Sequence, residues 1–262
     1  MISAKTRLCA VIGDPVEHSL SPQIHNAAFR ETGLDFSYVA FHVKKGETEN
    51  AIRGVRGFGI RGLSVTIPHK VDIVPYLDSV DEIARNVGSI NTVVNDEGHL
   101  TGFSTDGPGA LRALRAGGCD PKGQRVLLLG SGGAARAIAF SLATISPAPE
   151  LTILGVEADE LSDLENDIRE RTPLTVASLP YAEQTLRDAT ENSGLIINAT
   201  PVGMTPNVDV SPLGEELITV DHTVFDIVYT PFETKLLRDA KAAGAQAIPG
   251  IGMFVQQAAI PV

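Results

Sequence analysis

The chain has only two cysteines, Cys9 and Cys119, in 262 residues. Two thiols cannot build a disulfide framework or fill a four-ligand zinc site, and no metal site is expected. No run of ~18 apolar residues occurs, so no membrane partner is expected. Near the start, Lys5 and Arg7 precede a short apolar stretch, 8–12, and Pro15, Glu17 and His18 follow at once. That stretch is too short for a signal-peptide core, so a reducing, cytoplasmic location is expected. Basic runs are missing too: 21 Lys+Arg face 32 Asp+Glu, a net charge of -11. A nucleic-acid or anionic-membrane binder needs a basic face, and none is written here. An anionic small molecule would have to meet a few local positive spots. What remains is ordinary globular composition, with 43% hydrophobic and 20% charged residues. The length suits one large domain or two small ones.

Strand and helix patterns alternate. Residues 7–12 read as a buried strand, and Ser21-Pro22 as an N-cap followed by proline at the first helical position. That helix runs to Thr32 and stops at Gly33. Strands are expected at 36–42 and 62–67, a helix at 47–55, and a hairpin at 90–103 turning on Asp96-Glu97-Gly98. A helix follows at 106–116. The second series has strands at 125–129, 151–154, 174–177, 195–198, 223–227 and 245–248. Its helices are expected at 132–143, 157–171, 233–243 and 253–259. Such alternation argues for parallel α/β sheets, with a boundary near residues 103–118.

The most legible segment is Val126-Leu127-Leu128-Leu129-Gly130-Ser131-Gly132-Gly133-Ala134-Ala135. An apolar strand enters a glycine turn and leaves as an alanine-rich helix. Glycines permit close approach to a pyrophosphate, and the helix N-terminus offers free N–H groups and a positive dipole end. The plainer alternative is a simple strand-to-helix turn. The next strand ends at Gly155-Val156-Glu157. An acidic residue there hydrogen-bonds a ribose 2′-hydroxyl and repels a 2′-phosphate, which favours NAD, unless Glu157 only caps its helix.

Smaller motifs lie at strand and helix ends. Ser19-Leu20-Ser21-Pro22 puts two hydroxyls at a helix mouth, where they could cradle a carboxylate or serve only as cap and loop. Ser64-Val65-Thr66-Ile67-Pro68-His69-Lys70 ends a strand. Lys70 reads as a local positive spot or an ordinary exposed lysine, and His69 as a packed histidine. Gly88-Ser89-Ile90-Asn91-Thr92 and Thr105-Asp106 are polar strand and helix ends, and Asp106 could be a helix cap. Asn198-Ala199-Thr200-Pro201-Val202-Gly203-Met204 reads as a loop at a sheet's carboxyl edge.

In order and spacing, S-L-S-P, T-I-P-H-K, S-I-N-T, T-D, G-S-G-G-A-A-R, N-A-T-P-V-G-M, D-I-V-Y-x-P and G-x-G-M-F-x-x-Q together resemble the shikimate dehydrogenase family, from Val11 to Ala259. The resemblance implies an α/β protein of two domains with a cleft between them. Residues 1–103 would form the substrate-binding α/β domain and 104–249 a Rossmann-like NADP-binding domain. The C-terminal helix, 250–262, would pack back on the first. It implies NADPH-dependent reduction of 3-dehydroshikimate to shikimate in aromatic amino-acid biosynthesis. Lys70 and Asp106 would be the catalytic pair. Ser19 and Ser21 would hold the substrate carboxylate. Thr66, Asn91, Asp106, Tyr229 and Gln257 would hold the rest of the substrate. Gly130, Ser131, Gly132, Gly133 and Ala134 would hold the cofactor phosphates, with Ile227 and Gly250 at the nicotinamide end. A monomer or homodimer is expected.

Some positions depart from the family pattern. Ser64 and Ser104 stand where the family usually has asparagine, which removes two amides near the substrate and could loosen specificity toward quinate. Glu157 replaces the expected basic turn, so NAD stays possible beside NADP, with Arg136 as a substitute phosphate reader. The last helix ends at Val262, where relatives usually continue. Two alternatives remain: an NAD-dependent quinate/shikimate dehydrogenase, and a non-catalytic small-molecule-binding relative. The pairing of Lys70 with Asp106 argues against the second.

Overall fold

Strand and helix alternate through a computed structural model of the chain, which describes residues 2–260. Its contacts divide into two units, one ending at Ser104 and one beginning at Thr105.

The first unit is built on a six-stranded sheet, ordered β2-β1-β3-β5-β6-β4. β1 (Arg7–Gly13) runs parallel to β2 (Phe36–His42) and β3 (Gly62–Val65). The hairpin of β5 (Thr92–Asp96) and β6 (His99–Phe103), expected from its turn residues, is antiparallel, so this sheet is mixed. A two-residue strand, β4 (Ser79–Val80), completes it. Its core gathers Ala10, Ile12, Leu63 and Val65 from the strands with Ile52 and Val55 from α2 (Thr48–Gly57).

α1 (Ser21–Thr32) ends where expected, on Gly33 at φ 69°, a left-handed conformation that glycine adopts without steric cost. Its start differs by one residue. Leu20, not Ser21, is the N-cap, because the amides of Gln23 and Ile24 both donate to the Leu20 carbonyl. Two short helices of this unit, and the helix at Glu183–Glu191 in the other, are not legible in the sequence. α3 (His69–Asp72) is a single turn, and α4 (Glu82–Val87) is capped by Asp81, whose carboxylate accepts from the Ala84 amide.

The second unit has a sheet in the order β12-β11-β10-β7-β8-β9, all parallel. β7 (Arg125–Leu129) lies between β8 (Glu150–Gly155) and β10 (Leu195–Asn198). Strand order reverses there, the place where open α/β sheets bind ligands. β9 (Val176–Pro180) starts two residues later than read, and β11 (Thr223–Asp226) and β12 (Gln246–Pro249) close the sheet. The central strands are fully buried, which is why they read as continuous apolar runs rather than alternations.

Helices α5 (Asp106–Ala116), α6 (Gly133–Thr144), α7 (Ala158–Arg171), α8 (Glu183–Glu191) and α9 (Lys235–Ala242) belong to this unit. So does α10 (Ile251–Ala258), which packs along α5. The sequence reading had attached residues 250–262 to the first domain. Gly109 explains the α5 packing: a side chain there would lie 2.8 Å from Gln257 Cβ and 2.9 Å from its amide nitrogen. Residues 261 and 262 lie outside the described residues. Among the described residues, no helix is long and apolar enough to cross a membrane.

Candidate active site

In the first unit, the expected substrate residues gather at the carboxyl end of β1 and β3. Parallel pairing puts these two strand ends side by side. The Thr66 amide donates to the Ile12 carbonyl at 3.0 Å, and the Asp14 amide to the Ile67 carbonyl at 2.9 Å. Gly13 is needed there, since a Cβ would sit 2.5 Å from Thr66 Cγ2. The chain then loops through Ser19 into α1. Ser19 Oγ accepts the Ser21 amide at 3.3 Å, and Ser21 is 8% exposed. Asn91 precedes β5, whose antiparallel register brings its start beside the end of β3. The Val65 amide donates to the Asn91 carbonyl at 2.8 Å.

Lys70 lies on α3, directly after this edge. Two bonds hold α3. The Ile90 amide donates to the Lys70 carbonyl at 2.7 Å, and His69 is fully buried between Val43 and Thr48. His69 Nε2 must donate to the Val43 carbonyl, so in the neutral ring Nδ1 accepts the Thr48 hydroxyl proton. His69 is thus the packed histidine that was expected. Ser19, Ser21, Thr66, Lys70 and Asn91 therefore belong to one strand edge, although 72 sequence positions separate the first from the last.

In the second unit, Asp106, Tyr229 and Gln257 converge. Asp106 is the first residue of α5 and 2% exposed. It is not the helix cap: Thr105 holds that position and its carbonyl accepts the Gly109 amide. Tyr229 stacks on Phe254 of α10 at 4.5 Å between ring centroids. Burial, and after it the Asp106 charge, push the Tyr229 phenol above its ordinary pKa. Gln257 lies against Gly109, one helical turn after Asp106.

The glycine turn is shaped as a phosphate cradle. Gly130 has φ 108°, and a Cβ there would lie 3.0 Å from the Ala199 carbonyl oxygen, so only glycine fits the backbone and the space. A Cβ on Gly132, the N-cap of α6, would meet open space, and no side chain caps the helix. The first N–H groups of α6, from Gly133 and Ala134, are left for an anion. Ser131 turns toward α7 and donates to Glu160 at 3.2 Å. At the other end, Ile227 and Gly250 touch: a Cβ on Gly250 would lie 2.4 Å from the Ile227 carbonyl oxygen.

The end of β8 carries no base. Glu157 is the N-cap of α7 without a side-chain capping bond. Arg136, expected as a substitute phosphate reader, is ion-paired with Asp167 of α7, which also holds Arg171. A cavity of about 400 Å³ beside Gly155 and Val156 is lined on its far side by Leu161 and Glu165 of α7 and Pro180 of β9.

One group at this edge was missed in the sequence. Asp226, fully buried at the end of β11, accepts from Asn198 Nδ2 at 2.9 Å, the Val228 amide at 3.0 Å and Thr234 Oγ1 at 2.6 Å. Asn198 in turn accepts from the Thr200 amide and hydroxyl. The pair pins the loops after β10 and β11, the second of which carries Ile227 and Tyr229. Burial outweighs these bonds and pushes the Asp226 carboxyl up to about 6. Among the described residues, no group of three His, Cys, Asp or Glu side chains could hold a metal ion.

Residues 11–93 match the shikimate dehydrogenase substrate binding domain. The chain is 40% identical to the shikimate dehydrogenase (NADP(+)) of Moorella thermoacetica, over 98% of this chain and 87% of that protein. Among solved structures it is similar to shikimate 5-dehydrogenase from Listeria monocytogenes in complex with shikimate and NAD. The TM-score is 0.88 and the identity 36%, covering 98% of this chain and 91% of the other. It is also similar to the Thermus thermophilus enzyme in complex with NADP(H) and shikimate, with TM-score 0.84 and 36% identity over 97% and 90% of the two chains.

Proposed function

The chain belongs to the shikimate dehydrogenase family, and from that premise we propose that it interconverts shikimate and 3-dehydroshikimate with NADP, a step of aromatic amino-acid biosynthesis. The observation that carries this reading is the likeness to shikimate dehydrogenases over nearly the full length, with Lys70 and Asp106 both at their motif positions. A monomer or homodimer in the cytoplasm is the accompanying assignment.

The second unit fits a dinucleotide. Gly130, Ser131, Gly132, Gly133 and Ala134 would hold its phosphates, and Ile227 and Gly250 its nicotinamide end. When bound, the nicotinamide supplies or takes up the hydride. The remaining work falls to side chains. Reduction of a carbonyl leaves negative charge on oxygen, and that oxygen needs a proton. Lys70 Nζ–H donates it and stabilises the charge as it develops. In the reverse direction the neutral amine takes the hydroxyl proton. Asp106, Tyr229 and Gln257 hold ring hydroxyls, with the Asp106 carboxylate as acceptor. Thr66 and Asn91 do the same from the first unit, and Ser19 and Ser21 donate to the carboxylate. Charge-assisted bonds of that kind contribute roughly 1.5–3 kcal/mol each.

Shikimate-dependent appearance of NADPH absorbance with the full chain tests the reading. A steady rate is expected. Folded protein that gives no rate with either nicotinamide would overturn it in favour of a binding role.

A further inference from the structure

Four strands of the second sheet end in one row. Parallel register sets Leu129, Asn198, Asp226 and Pro249 side by side at the carboxyl edge. The next residues are Gly130, Ala199, Ile227 and Gly250. The outer two are the places that the reading above gives to the cofactor phosphates and the nicotinamide end. Neighbours in this second row are in close contact. A Cβ on Gly130 would lie 3.0 Å from the Ala199 carbonyl oxygen, and one on Gly250 would lie 2.4 Å from that of Ile227. In the middle of the row, the Ile227 amide donates to the Asn198 carbonyl at 3.1 Å.

Beyond this row the sheet ladders stop, and each departing segment needs another hold. Asp226 supplies it from the middle. Its Oδ1 accepts from Asn198 Nδ2 and from the Val228 amide, and its Oδ2 from the Thr234 hydroxyl. These donors belong to three segments: the end of β10, the loop after β11 and the N-cap of α9. Asn198 extends the hold by accepting the amide and hydroxyl of Thr200. On the other side, the loop after β11 reaches α10, where Tyr229 stacks on Phe254. A bonded polar network of this kind fixes one arrangement of the segments it joins. Burial makes the charged carboxyl costly, so at neutral pH Asp226 is a poor source of stability. What it supplies is position.

We propose that Asp226 is a positioning residue for hydride transfer: by tying Asn198, Val228 and Thr234 together, it sets the spacing between the glycine turn and the Ile227–Gly250 contact. This rests on the cofactor reading above. The phosphate cradle itself is built from backbone of the glycine turn, so the clamp governs the nicotinamide end and not the phosphates.

The test compares wild type, Asp226→Ala and Asp226→Asn in binding and in turnover. The binding probes are NADPH and 2′-phospho-ADP-ribose, which lacks the nicotinamide ring. In Asp226→Ala the Kd for NADPH is expected to rise about 3–10-fold, with that for 2′-phospho-ADP-ribose within about two-fold of wild type. Its kcat for shikimate oxidation at saturating NADP is expected to fall about 10–100-fold, the cost of a misplaced reacting group. Asp226→Asn keeps two acceptor bonds through its amide oxygen and donates to Thr234 Oγ1 instead of accepting from it. It is expected to restore both quantities to within about three-fold of wild type. Thr234→Val should show the same selective loss on a smaller scale, with rescue by Thr234→Ser, which carries the test even if Asp226→Ala fails to fold. Lowered melting temperatures with unmoved Kd and kcat, equal weakening of both probes, or no rescue by the conservative variants would each overturn the clamp while leaving the shikimate reading intact. A wild type that binds NADPH without turning shikimate over would overturn that reading, and the two Kd values would still decide the clamp's hold on the nicotinamide end.

Discussion

Gly109→Ala sets two physical effects against each other. Alanine is the better helix former by about 0.8–1 kcal/mol, so an exposed helical glycine would gain from the change. Here the new Cβ would lie 2.8 Å from Gln257 Cβ, 2.9 Å from its nitrogen and 3.0 Å from its Cα. Two of these three atoms are backbone, so α10 itself must retreat, by roughly 0.5–1 Å to reach ordinary contact, and overpacking of that kind costs about 1–3 kcal/mol. The net expectation is a loss of ~0–2 kcal/mol, seen as a melting temperature lower by up to about 8 °C. Gly252→Ala is the control. Its Cβ would meet Ala113 at a comfortable 3.5 Å, so propensity should win and the protein should melt at or above wild type. The retreat of α10 also carries Gln257 from its place near Asp106, so the shikimate KM should rise about 3–10-fold in Gly109→Ala alone. Differential scanning calorimetry and initial rates read both. If Gly109→Ala melts as high as Gly252→Ala with unchanged KM, the tight α5–α10 contact does not position Gln257.

Lys70→Ala should cut kcat by ~10²–10⁴ with a much smaller change in KM, since it removes a group needed mainly in the transition state; near-wild-type turnover would end its catalytic role. Asp226 should make stability fall as pH rises. Its carboxyl titrates near 6 in the folded chain against an ordinary 3.8, so the folded state holds the proton longer and loses stability between those values. That gap is worth roughly 3 kcal/mol at most. In Asp226→Asn, which can keep the bonds to Asn198, Val228 and Thr234, this part of the slope should vanish; parallel stability–pH curves for the two proteins would refute the assignment.

The sequence revealed most where one physical cause dominated. α1 could be read at its end because Gly33 takes a left-handed turn, and β7 because Val126–Leu129 are apolar and buried on both faces. α4 was missed because six residues show no helical period, although Asp81 and Gly88 both mark its ends. β9 was placed early because Leu174 looks like strand, while pairing with β8 starts at Val176. The hydroxyls and amides of the substrate edge were legible only as ordered motifs, since each alone is an ordinary loop residue. Asp226 was legible only as the first letter of a motif, because its partner Asn198 lies 28 residues away and is brought near by parallel pairing that no local pattern announces. The ion pair of Arg136 shows the same limit: its carboxylate partner, Asp167, comes from the next helix.

The most direct test of the central claim is a comparison of kcat/KM for shikimate and quinate, each with NADP and with NAD, on the full chain. The account predicts the highest value for shikimate with NADP, despite the acidic turn at Glu157. A highest value for quinate or for NAD would contradict it, and would show that Ser64 or Glu157 outweighs the rest of the site.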